Sequence, residues 1–523
     1  MRARLKVVVL AAVLFARAAA QDRPSEDDLF GKPPEKPAAE KPAAAAQGEP
    51  AAGGHGDTEA ELFGQKKPAE PAPAAPPGTL IPREREDWLK VGGELQLRAQ
   101  ASAYQDTAPK NWPYGSPNLL DVYLDSRPND RVRGFVLGRL NYDPTLPTTH
   151  AGSSLVPSGS GGGGSTSTGF GGTSSSDNPG GVLDQLWVNF DPWHRIFVTA
   201  GRQHVKWGVG HFWNPTDYLH PVKRDPLATF DVRTGTTLVK VHVPWEKRGW
   251  NVYGIGLFED LAGDTTNLTS RLGRIGGGGR AEVVLGPAEL GLDAIAQQGH
   301  RPRYGIDLSG GVLNFDLYTE VALRSGGDGQ HWVRPGAPVS SEELLNWVPE
   351  DRRQLTPQVV VGGTWMFKYS DEDYLTVGGE YFYNDLGYDH KDVYPFLLAG
   401  APNPGLTAQQ DPRAFQPFYL GRHYAAVNLS LPKPGRFNDT NLLFTVIGNL
   451  SDRSYVARFD ASVLVLTYLT VETFVAGHFG NKGGEFRLTL PSEVAAAAQA
   501  ETGATFPTGA PLFDVGVALR VAL

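Results

Sequence analysis

The sequence predicts an all-β fold: a transmembrane antiparallel up-and-down β-barrel of about eighteen strands. Three observations support this fold class. From Trp88 onward, apolar and polar residues alternate in runs of strand length, which places them on opposite faces of pleated strands. The links between these runs are alternately short and long, which is typical of a membrane barrel. Ionisable residues fall on one face of the runs, and after residue 20 no stretch is apolar enough for a spanning helix.

Composition narrows the class of protein further. The 523 residues suffice for several soluble domains or for one large closed sheet. There is no Cys, which excludes disulfides and thiolate metal sites and suits an exported chain. The net charge of −9 gives no support for a nucleic-acid partner.

The first twenty residues have the pattern of an export signal. Arg2, Arg4 and Lys6 form a positive head, residues 7–16 form an apolar core, and Ala18 to Ala20 offer a small-residue cleavage site. We therefore expect residues 1–20 to be a signal peptide that is cleaved near Ala20. An uncleaved membrane anchor is the alternative.

Residues 21–86 are rich in Pro, Ala, Glu and Lys and nearly lack β-branched and aromatic residues. Such a segment cannot bury enough apolar surface to fold, so we expect a disordered periplasmic tether ahead of a barrel at 87–523. Leu29-Phe30-Gly31 recurs as Leu62-Phe63-Gly64, each copy after acidic residues. The repeat suggests a bivalent docking motif for a periplasmic partner, with chance duplication as the alternative.

The alternating runs give the strand count. They cover 88–104, 117–126, 131–142, 182–191, 195–203, 233–243, 249–259, 271–285, 288–299, 304–312, 315–325, 354–368, 373–387, 417–431, 439–450, 454–465, 469–480 and 511–523. The links near 313 and 466 are weakly marked, so sixteen strands remains the alternative.

The lengths of the links predict orientation. Even-to-odd links are short, whereas the odd-to-even links include all the long ones: 143–181, 204–232, 326–353, 388–416 and 481–510. In an outer-membrane barrel, short turns lie at the periplasmic rim and long loops lie outside. We therefore expect a chain in the outer membrane, in contact with its lipid, with both termini in the periplasm. The alternation ends on an apolar residue, Leu523, which resembles the terminal signal read by the barrel-assembly machinery.

Ionisable residues on the inward face form the set of lumen-lining candidates. Charges are tolerated there only if the interior is wet or the groups pair with one another. The set comprises Glu94, Arg98, Asp121, Asp125, Arg131, Arg133, Arg139, Glu320, Arg324, Glu380, Arg458 and Asp460.

Residues 204–232, here called the aromatic loop, are dense in Trp, His, Gly and Pro. An external loop this apolar would be badly placed in water, so we expect it to fold into the barrel mouth and form a constriction. Packing at the rim and a metal site are the alternatives, although the His spacing matches no recognised ligand pattern and we predict no metal. The constriction candidates are Arg202, His204, Lys206, Trp207, His211, Trp213, Asp217, Lys223, Arg224 and Asp225.

No enzyme motif stands out. Neither a Ser/His/Asp order, nor His-Glu-x-x-His, nor carboxylates paired in helical register can be recognised. We therefore predict neither catalytic residues nor a cofactor, with a rim-built hydrolase as the alternative.

One stretch carries a resemblance. Gly201-Arg202-Gln203, Trp207-Gly208, Asn214-Pro215-Thr216-Asp217 and Pro221 together resemble a signature of porin-like outer-membrane proteins of Gram-negative bacteria. The resemblance implies a porin-type barrel and no particular substrate.

Three functions remain open at this point. The first is a channel for small hydrophilic solutes, because eighteen strands leave room for water. The second is a barrel for polysaccharide export, or a component of an envelope-spanning machine, that acts with periplasmic partners. The third is a plugged structural barrel.

Overall fold

The computed structural model describes residues 88–146, 178–192, 195–220, 223–228, 233–258, 275–298, 300–325, 331–336, 347–350, 354–370, 373–399, 417–489, 492 and 509–522. The predicted signal peptide, the tether and its two Leu-Phe-Gly copies lie outside the described residues and stay predictions.

Eighteen strands close into one antiparallel barrel. In chain order they are β1 (Leu89–Tyr104), β2 (Asn118–Asn129), β3 (Val132–Tyr142), β4 (Gly180–Phe190), β5 (Phe197–Gln203), β6 (Thr236–Trp245), β7 (Trp250–Leu257), β8 (Gly276–Leu285), β9 (Ala288–Gln297), β10 (Arg303–Val312), β11 (Phe315–Ser325), β12 (Leu355–Lys368), β13 (Tyr374–Asn384), β14 (His423–Pro432), β15 (Thr440–Asn449), β16 (Ser454–Leu466), β17 (Leu469–Gly480) and β18 (Pro511–Ala522).

Each strand pairs with the next, and the first pairs with the last. The closing register of β1 on β18 runs from Glu94 opposite Ala522 to Tyr104 opposite Pro511. The predicted count of eighteen is confirmed, because the two weakly marked links are the short turns 313–314 and 467–468. Closure gives every barrel strand a partner on both edges, so no backbone edge faces lipid.

The remaining elements are short. A two-residue strand, Tyr114–Gly115, adds to β1, and His331–Val333 pairs with Val348–Glu350 in a separate small sheet. The helical pieces with both ends in the described ranges are the 3-10 turns Pro109–Asn111, Glu246–Arg248, Lys391–Val393 and Glu485–Arg487 and the α-helix α1 (Tyr394–Ala399). None of the helices in the described ranges is long and apolar enough to cross a membrane.

The two faces of the barrel differ as the alternation predicts. On β1, Val91 is 65% exposed and Leu97 is 45% exposed, whereas Gln96 between them is only 2% exposed. The same outward pattern of large apolar side chains continues around the barrel, for example at Leu186 and Val427. An apolar outer belt on a closed barrel is a lipid-facing surface, so the strands span a membrane.

The sorting of links by length is also confirmed. Between even and odd strands the longest link is 433–439, and four of these links have only two residues (130–131, 286–287, 313–314 and 467–468). The opposite rim carries the long links, including 143–179, 204–235, 326–354, 385–422 and 481–510. The aromatic loop belongs to that second rim, where it joins β5 to β6.

Candidate functional site

The aromatic loop packs against the inner wall of the barrel. Among its described residues, Trp213 and Leu219 are fully buried, and Tyr218 and Trp207 are 1% and 3% exposed. Burying large aromatic groups is strongly favourable, which explains why this segment leaves the solvent. The interior position agrees with the predicted inward folding, while a role as a constriction stays a prediction.

Two apolar clusters hold the two parts of the loop. In the first, Trp207, Tyr218 and Leu219 contact Leu238 of β6 and Ile255 of β7, together with residues of β9 and β11. In the second cluster, the loop side chains belong to a group that reaches from β11 to β17. Its members are Trp213, Leu227, Tyr318, Val360, Phe382, Phe418, Tyr424, Ala426, Ile447, Val456, Ala476 and Phe486.

Glu320 on β11 accepts hydrogen bonds from the loop backbone. The amides of Val209 and Gly210 both donate to Oε2 at 3.0 Å. The amide and hydroxyl of Thr216 donate to Oε1 at 2.6 and 2.8 Å. The carboxylate, which is fully buried, therefore satisfies three backbone amides that would otherwise lack acceptors.

Glu380 on β13 does the same for the next part of the loop. The amides of His211 and Trp213 donate to it at 2.8 and 2.7 Å. The amide of Phe212 lies 3.2 Å from both carboxylate oxygens, and the Tyr318 hydroxyl donates to Oε2 at 2.8 Å. Successive amides that converge on one anion form the anion-binding arrangement known as a nest.

Glycine is required where the loop approaches Glu320. Gly208 has a φ of 86°, a left-handed conformation that side chains rarely adopt. A Cβ at Gly208 would overlap Asn214 Oδ1 and would lie 2.5 Å from both Glu320 Oε2 and Thr216 Oγ1. This close approach explains why the Trp-Gly-Val-Gly segment of the sequence has glycine at position 208.

A row of acidic and imidazole groups ties both ends of the loop together. The Asp184 carboxylate lies 2.8 Å from His204 Nε2, and His204 Nδ1 lies 3.2 Å from His220 Nε2. His220 Nδ1 in turn lies 2.9 Å from Asp217 Oδ1. Arg233 donates to the other oxygen of Asp217, also at 2.9 Å.

These contacts shift the ionisation of the loop groups. Burial works to raise the pKa of Asp217, but His220 and Arg233 outweigh it and hold that pKa well below its usual value. Burial lowers the pKa of His220, an effect that Asp217 offsets only in part. Burial, together with the charge of Arg324, lowers the pKa of Lys223 to about 7. Lys223 is therefore only partly charged at neutral pH.

A third carboxylate holds another part of the interior. Glu485, from the link between β17 and β18, accepts from the Phe418 amide and, at 2.7 Å each, from Tyr424 and Asn449. Burial and the nearby Asp452 raise the pKa of Glu485 to about 8. Phe418 also accepts from the Trp213 indole at 2.9 Å, so this group adjoins the aromatic loop.

The predicted constriction residues divide by exposure. Lys206 and His211 are exposed, His211 stacks on Tyr318 with ring centroids 4.8 Å apart, and Lys223, Arg224 and Asp225 are half-buried. The buried candidates are Trp207, Trp213 and Asp217, and the His204 side chain is 13% exposed. The buried candidates anchor the loop instead of facing water. Trp207 and Trp213 pack in the two apolar clusters with residues of the wall, and Asp217 is bonded to His220 and Arg233.

Arg202 departs from the prediction. It lies opposite Leu186, whose side chain faces outward, and its guanidinium donates to Thr234 Oγ1 at 3.2 Å. The alternation of β5 continues through Arg202, so this residue shares the outward register of Val198 and Ala200 and not that of the inner wall.

Most predicted lumen residues do lie on the inner face, where many are paired. Arg139 bonds Asp121 at 2.8 Å, and Arg133 bonds Asp125 at 2.9 Å. The same holds on another part of the wall for Arg458 and Asp460, at 2.7 Å. Glu94, Arg98 and Arg324 are half-buried inner residues of β1 and β11, whereas Glu320 and Glu380 are covered by the aromatic loop.

Arg131 is the exception among the lumen candidates. It lies in the turn 130–131 between β2 and β3 and is exposed, and its amide donates to Asn129 Oδ1 at 2.9 Å. The turn ends the alternation one residue before Val132, so Arg131 is a rim residue and does not belong to the inner face of a strand.

Asp184 is a site residue that the sequence pattern does not reveal. Strict alternation on β4 would turn it outward with Leu186 and Val188. The register instead shifts, because Leu137 pairs with Gln185 and the next residue, Gly138, pairs with Leu183. The extra residue of this β-bulge is Asp184, which is 2% exposed. Bulges redirect side chains in this way, and nothing in the local sequence marks this one.

No group of three or more His, Cys, Asp or Glu side chains in the described part of the chain is arranged to hold a metal ion.

The fold and this site together define a transmembrane β-barrel with a loop folded against its inner wall. No family model and no curated protein matches the chain, so the resemblance of its 201–221 stretch to a porin-like signature stays a prediction.

Solved structures of similar overall shape exist. OccAB1 of Acinetobacter baumannii is 9% identical, with a TM-score of 0.46 over 83% of this chain and 97% of its own. OccK8 (OprE) of Pseudomonas aeruginosa is 8% identical, with a TM-score of 0.45 over 83% and 98%. Wzi of Escherichia coli, a carbohydrate-binding outer-membrane barrel involved in group 1 capsule assembly, is 10% identical, with a TM-score of 0.44 over 82% and 84%.

Proposed function

We propose that this protein is a porin-like channel of the outer membrane for small hydrophilic solutes, and that the aromatic loop forms its constriction. The observation that carries the proposal is the attachment of the loop to the inner wall through Glu320 and Glu380. Residues 209–216 lie inside the barrel because these two carboxylates accept their amides. A loop held inside a wide barrel reduces the cross-section open to solutes.

In this proposal the passage runs beside β1 to β4, which the loop contacts through the polar pair of His204 and Asp184. The apolar contacts of the loop are with strands from β6 to β17, and neither cluster includes a residue of β1 to β4. The inner faces of those four strands carry charged groups that retain contact with water, such as Arg133, whose side chain is 33% exposed. This polar side of the wall suits hydrated solutes.

Charges of both signs lie on the loop and on the inner wall. The loop contributes Lys206, Lys223 and Arg224, while its Asp225 interacts electrostatically with Arg98 of β1. On the wall, Arg520 bonds Glu472 at 3.0 Å. Mixed charges favour weak selectivity between anions and cations, so we assign no particular solute.

Conductance in planar bilayers tests the proposal. Deleting 209–227 removes the segment held by Glu320 and Glu380 and should raise single-channel conductance. Changing Lys206, Lys223 and Arg224 to Glu should shift the reversal potential toward cations, more strongly in dilute salt, where screening is weaker. In the wild type, the contribution of Lys223 should fade as the pH rises through about 7, because the ammonium then loses its proton.

The matched control places the same charges elsewhere. Glu at Ser158, Ser165 and Ser174, in the Gly/Ser-rich link between β3 and β4, should change selectivity much less. If the deletion left the conductance and selectivity of an open channel unchanged, the loop would not be a constriction. If the purified protein formed no openings at all, the plugged barrel would replace the channel as the proposed function. Copurification of an export complex that depends on the tether would favour the polysaccharide-export or envelope-machine role.

A further inference from the structure

Three contacts join the side chains in the row Asp184, His204, His220 and Asp217, and the number of hydrogens in these contacts determines the charge of the two imidazoles. Each imidazole uses one ring nitrogen on a carboxylate and turns its other nitrogen toward the second imidazole. The distances along the row are 2.8, 3.2 and 2.9 Å, all within hydrogen-bonding range for nitrogen. Each of the three contacts therefore requires one hydrogen.

The two rings meet almost head-on. Their centroids are 5.4 Å apart and their planes differ by 26°, while the facing nitrogens are 3.2 Å apart. The centroid separation exceeds the N···N separation by about one ring width, so the facing nitrogens lie close to the line that joins the centroids. This geometry fits an N–H···N hydrogen bond. A zinc ion on the same line would need nitrogens about 4 Å apart, given bonds of about 2.0 Å on each side.

Counting hydrogens fixes the charge of the pair. Two ionised carboxylates supply none, so the three contacts need three hydrogens on the four ring nitrogens. A neutral imidazole carries one hydrogen and an imidazolium carries two. Two neutral rings would leave two lone pairs facing each other, and two imidazolium rings would leave two N–H groups facing each other.

We propose that His204 and His220 bind a single proton between them, as a monocation, and that this shared proton closes the base of the aromatic loop. His204 is the imidazolium, donating to Asp184 through Nε2 and to His220 through Nδ1. His220 is neutral, accepting at Nε2 and donating from Nδ1 to Asp217. Burial lowers the pKa of His220, which agrees with its place as the neutral partner.

The surrounding charges come from several elements. On the Asp184 side, Arg139 of β3 lies 3.5 Å from that carboxylate and is itself bonded to Asp121 of β2. On the Asp217 side, Arg233 bonds the carboxylate, and Lys223 Nζ lies 3.3 Å from the Asp217 carbonyl oxygen. The other charged or titratable groups near the row are Tyr419 from the link after β13, and Arg303 and Arg324 from β10 and β11.

The balance of these groups predicts a pH window. The two carboxylates next to the rings favour the first proton on the pair. The first proton and the basic groups disfavour a second one, so the second proton should bind only at a lower pH than the first. The contribution of the pair to loop stability is therefore present between these two pH values. It is lost as the pH rises through the upper value and as it falls through the lower one.

The consequence is local to the base of the loop. The contact joins residue 204 to residue 220, while Glu320 and Glu380 hold 209–216 by contacts that do not involve an imidazole. Outside the window the base should open while the inner part remains attached. The segments around 204–208 and 217–220 should then exchange their amide hydrogens on the order of tenfold faster, since a charge-assisted hydrogen bond is lost.

The decisive experiment uses the full chain in detergent micelles and does not require an open pore. Nitrogen NMR of the protein labelled with 15N-histidine should show, between pH 4 and 9, two rings that titrate as a coupled pair. In the middle of this pH range the two rings together should carry a single extra proton. Hydrogen exchange of 204–220, corrected for the intrinsic effect of pH, should be slowest in the same range.

Variants supply the control. H204Q and H220Q should each remove the pH minimum in exchange, and the double variant should add nothing further. H242Q should keep the minimum, since the ring of this inner-wall histidine bonds Asn251 at 3.0 Å and no second imidazole. Two rings that titrate independently in the wild type, or a minimum that survives in H220Q, would overturn the proposal. Neither result depends on conductance, so the proposed channel function would stand or fall separately.

Discussion

At the scale of single residues, Glu320 and Glu380 differ from other inner-wall carboxylates. Asp121 and Asp125 are paired with arginines on neighbouring strands, as the crowding of charges on one face would suggest. Glu320 and Glu380 instead accept backbone amides and hydroxyls of a segment from elsewhere in the chain. Their charge is balanced by oriented dipoles, so removal of one carboxylate leaves several buried donors without acceptors.

Replacement of Glu380 by Gln should therefore loosen the loop. Gln removes the charge and one acceptor atom, and each buried amide left without an acceptor costs about 1–3 kcal/mol. We expect trypsin to cleave the purified variant faster than the wild type at Lys206 and Arg224. Mass spectrometry of the fragments measures the rate of cleavage at each site. E94Q is the control, because Glu94 is a half-buried inner residue of β1 that lies outside the loop clusters. Equal cleavage of E380Q and the wild type would show that the carboxylate does not hold the loop.

At the scale of elements, the strands are far more predictable than the loop. Alternation of period two locates all eighteen strands, because each has one face in lipid and one inside. The partners of the aromatic loop are not predictable, because Glu320 and Glu380 follow it by more than a hundred positions and belong to ordinary-looking strands. The role of Asp184 is not predictable either, because a bulge turns this residue inward against the alternation.

The last strand offers a test at this scale. Val521 of β18 lies opposite Leu95 of β1 and Leu469 of β17, on the outward face near the rim. V521D should cost only about 0–1 kcal/mol in the finished barrel. We nevertheless expect a larger loss of inserted protein, because terminal apolar residues would be read during assembly, and we expect the same of L523D.

Quantifying barrel in purified outer membranes measures this loss, with A522D as the control on the neighbouring inward position. Normal amounts of both V521D and L523D would rule out a terminal assembly signal.

At the scale of the whole molecule, orientation follows from the two rims. The rim with short turns also carries the start of β1 and the end of β18, so the described chain enters and leaves the barrel wall at the same rim. The rim with long links lies on the other side. In an outer-membrane barrel the short turns lie in the periplasm, so we expect the long links at the cell surface.

Epitope tags test this orientation. Tags within 143–179 or 400–416 should be labelled by antibody on intact cells. Tags within 21–86 should be labelled only after the outer membrane is permeabilised. A tag placed after residue 523 is the control, since it should behave like the N-terminal tags. Labelling of the 21–86 tags on intact cells would reverse the orientation.

The distance along the chain between the aromatic loop and its acceptors also constrains how the interior is completed. The loop amides reach their acceptors only when Glu320, which follows them by 104 to 111 residues, and Glu380, which follows by 167 to 169, are both in place on the wall. Until β13 has joined the wall, Trp213 and its neighbours lack their final surroundings. A factor that binds the barrel during assembly therefore binds a chain whose aromatic loop has not yet packed. The interior is completed only after most of the wall has formed.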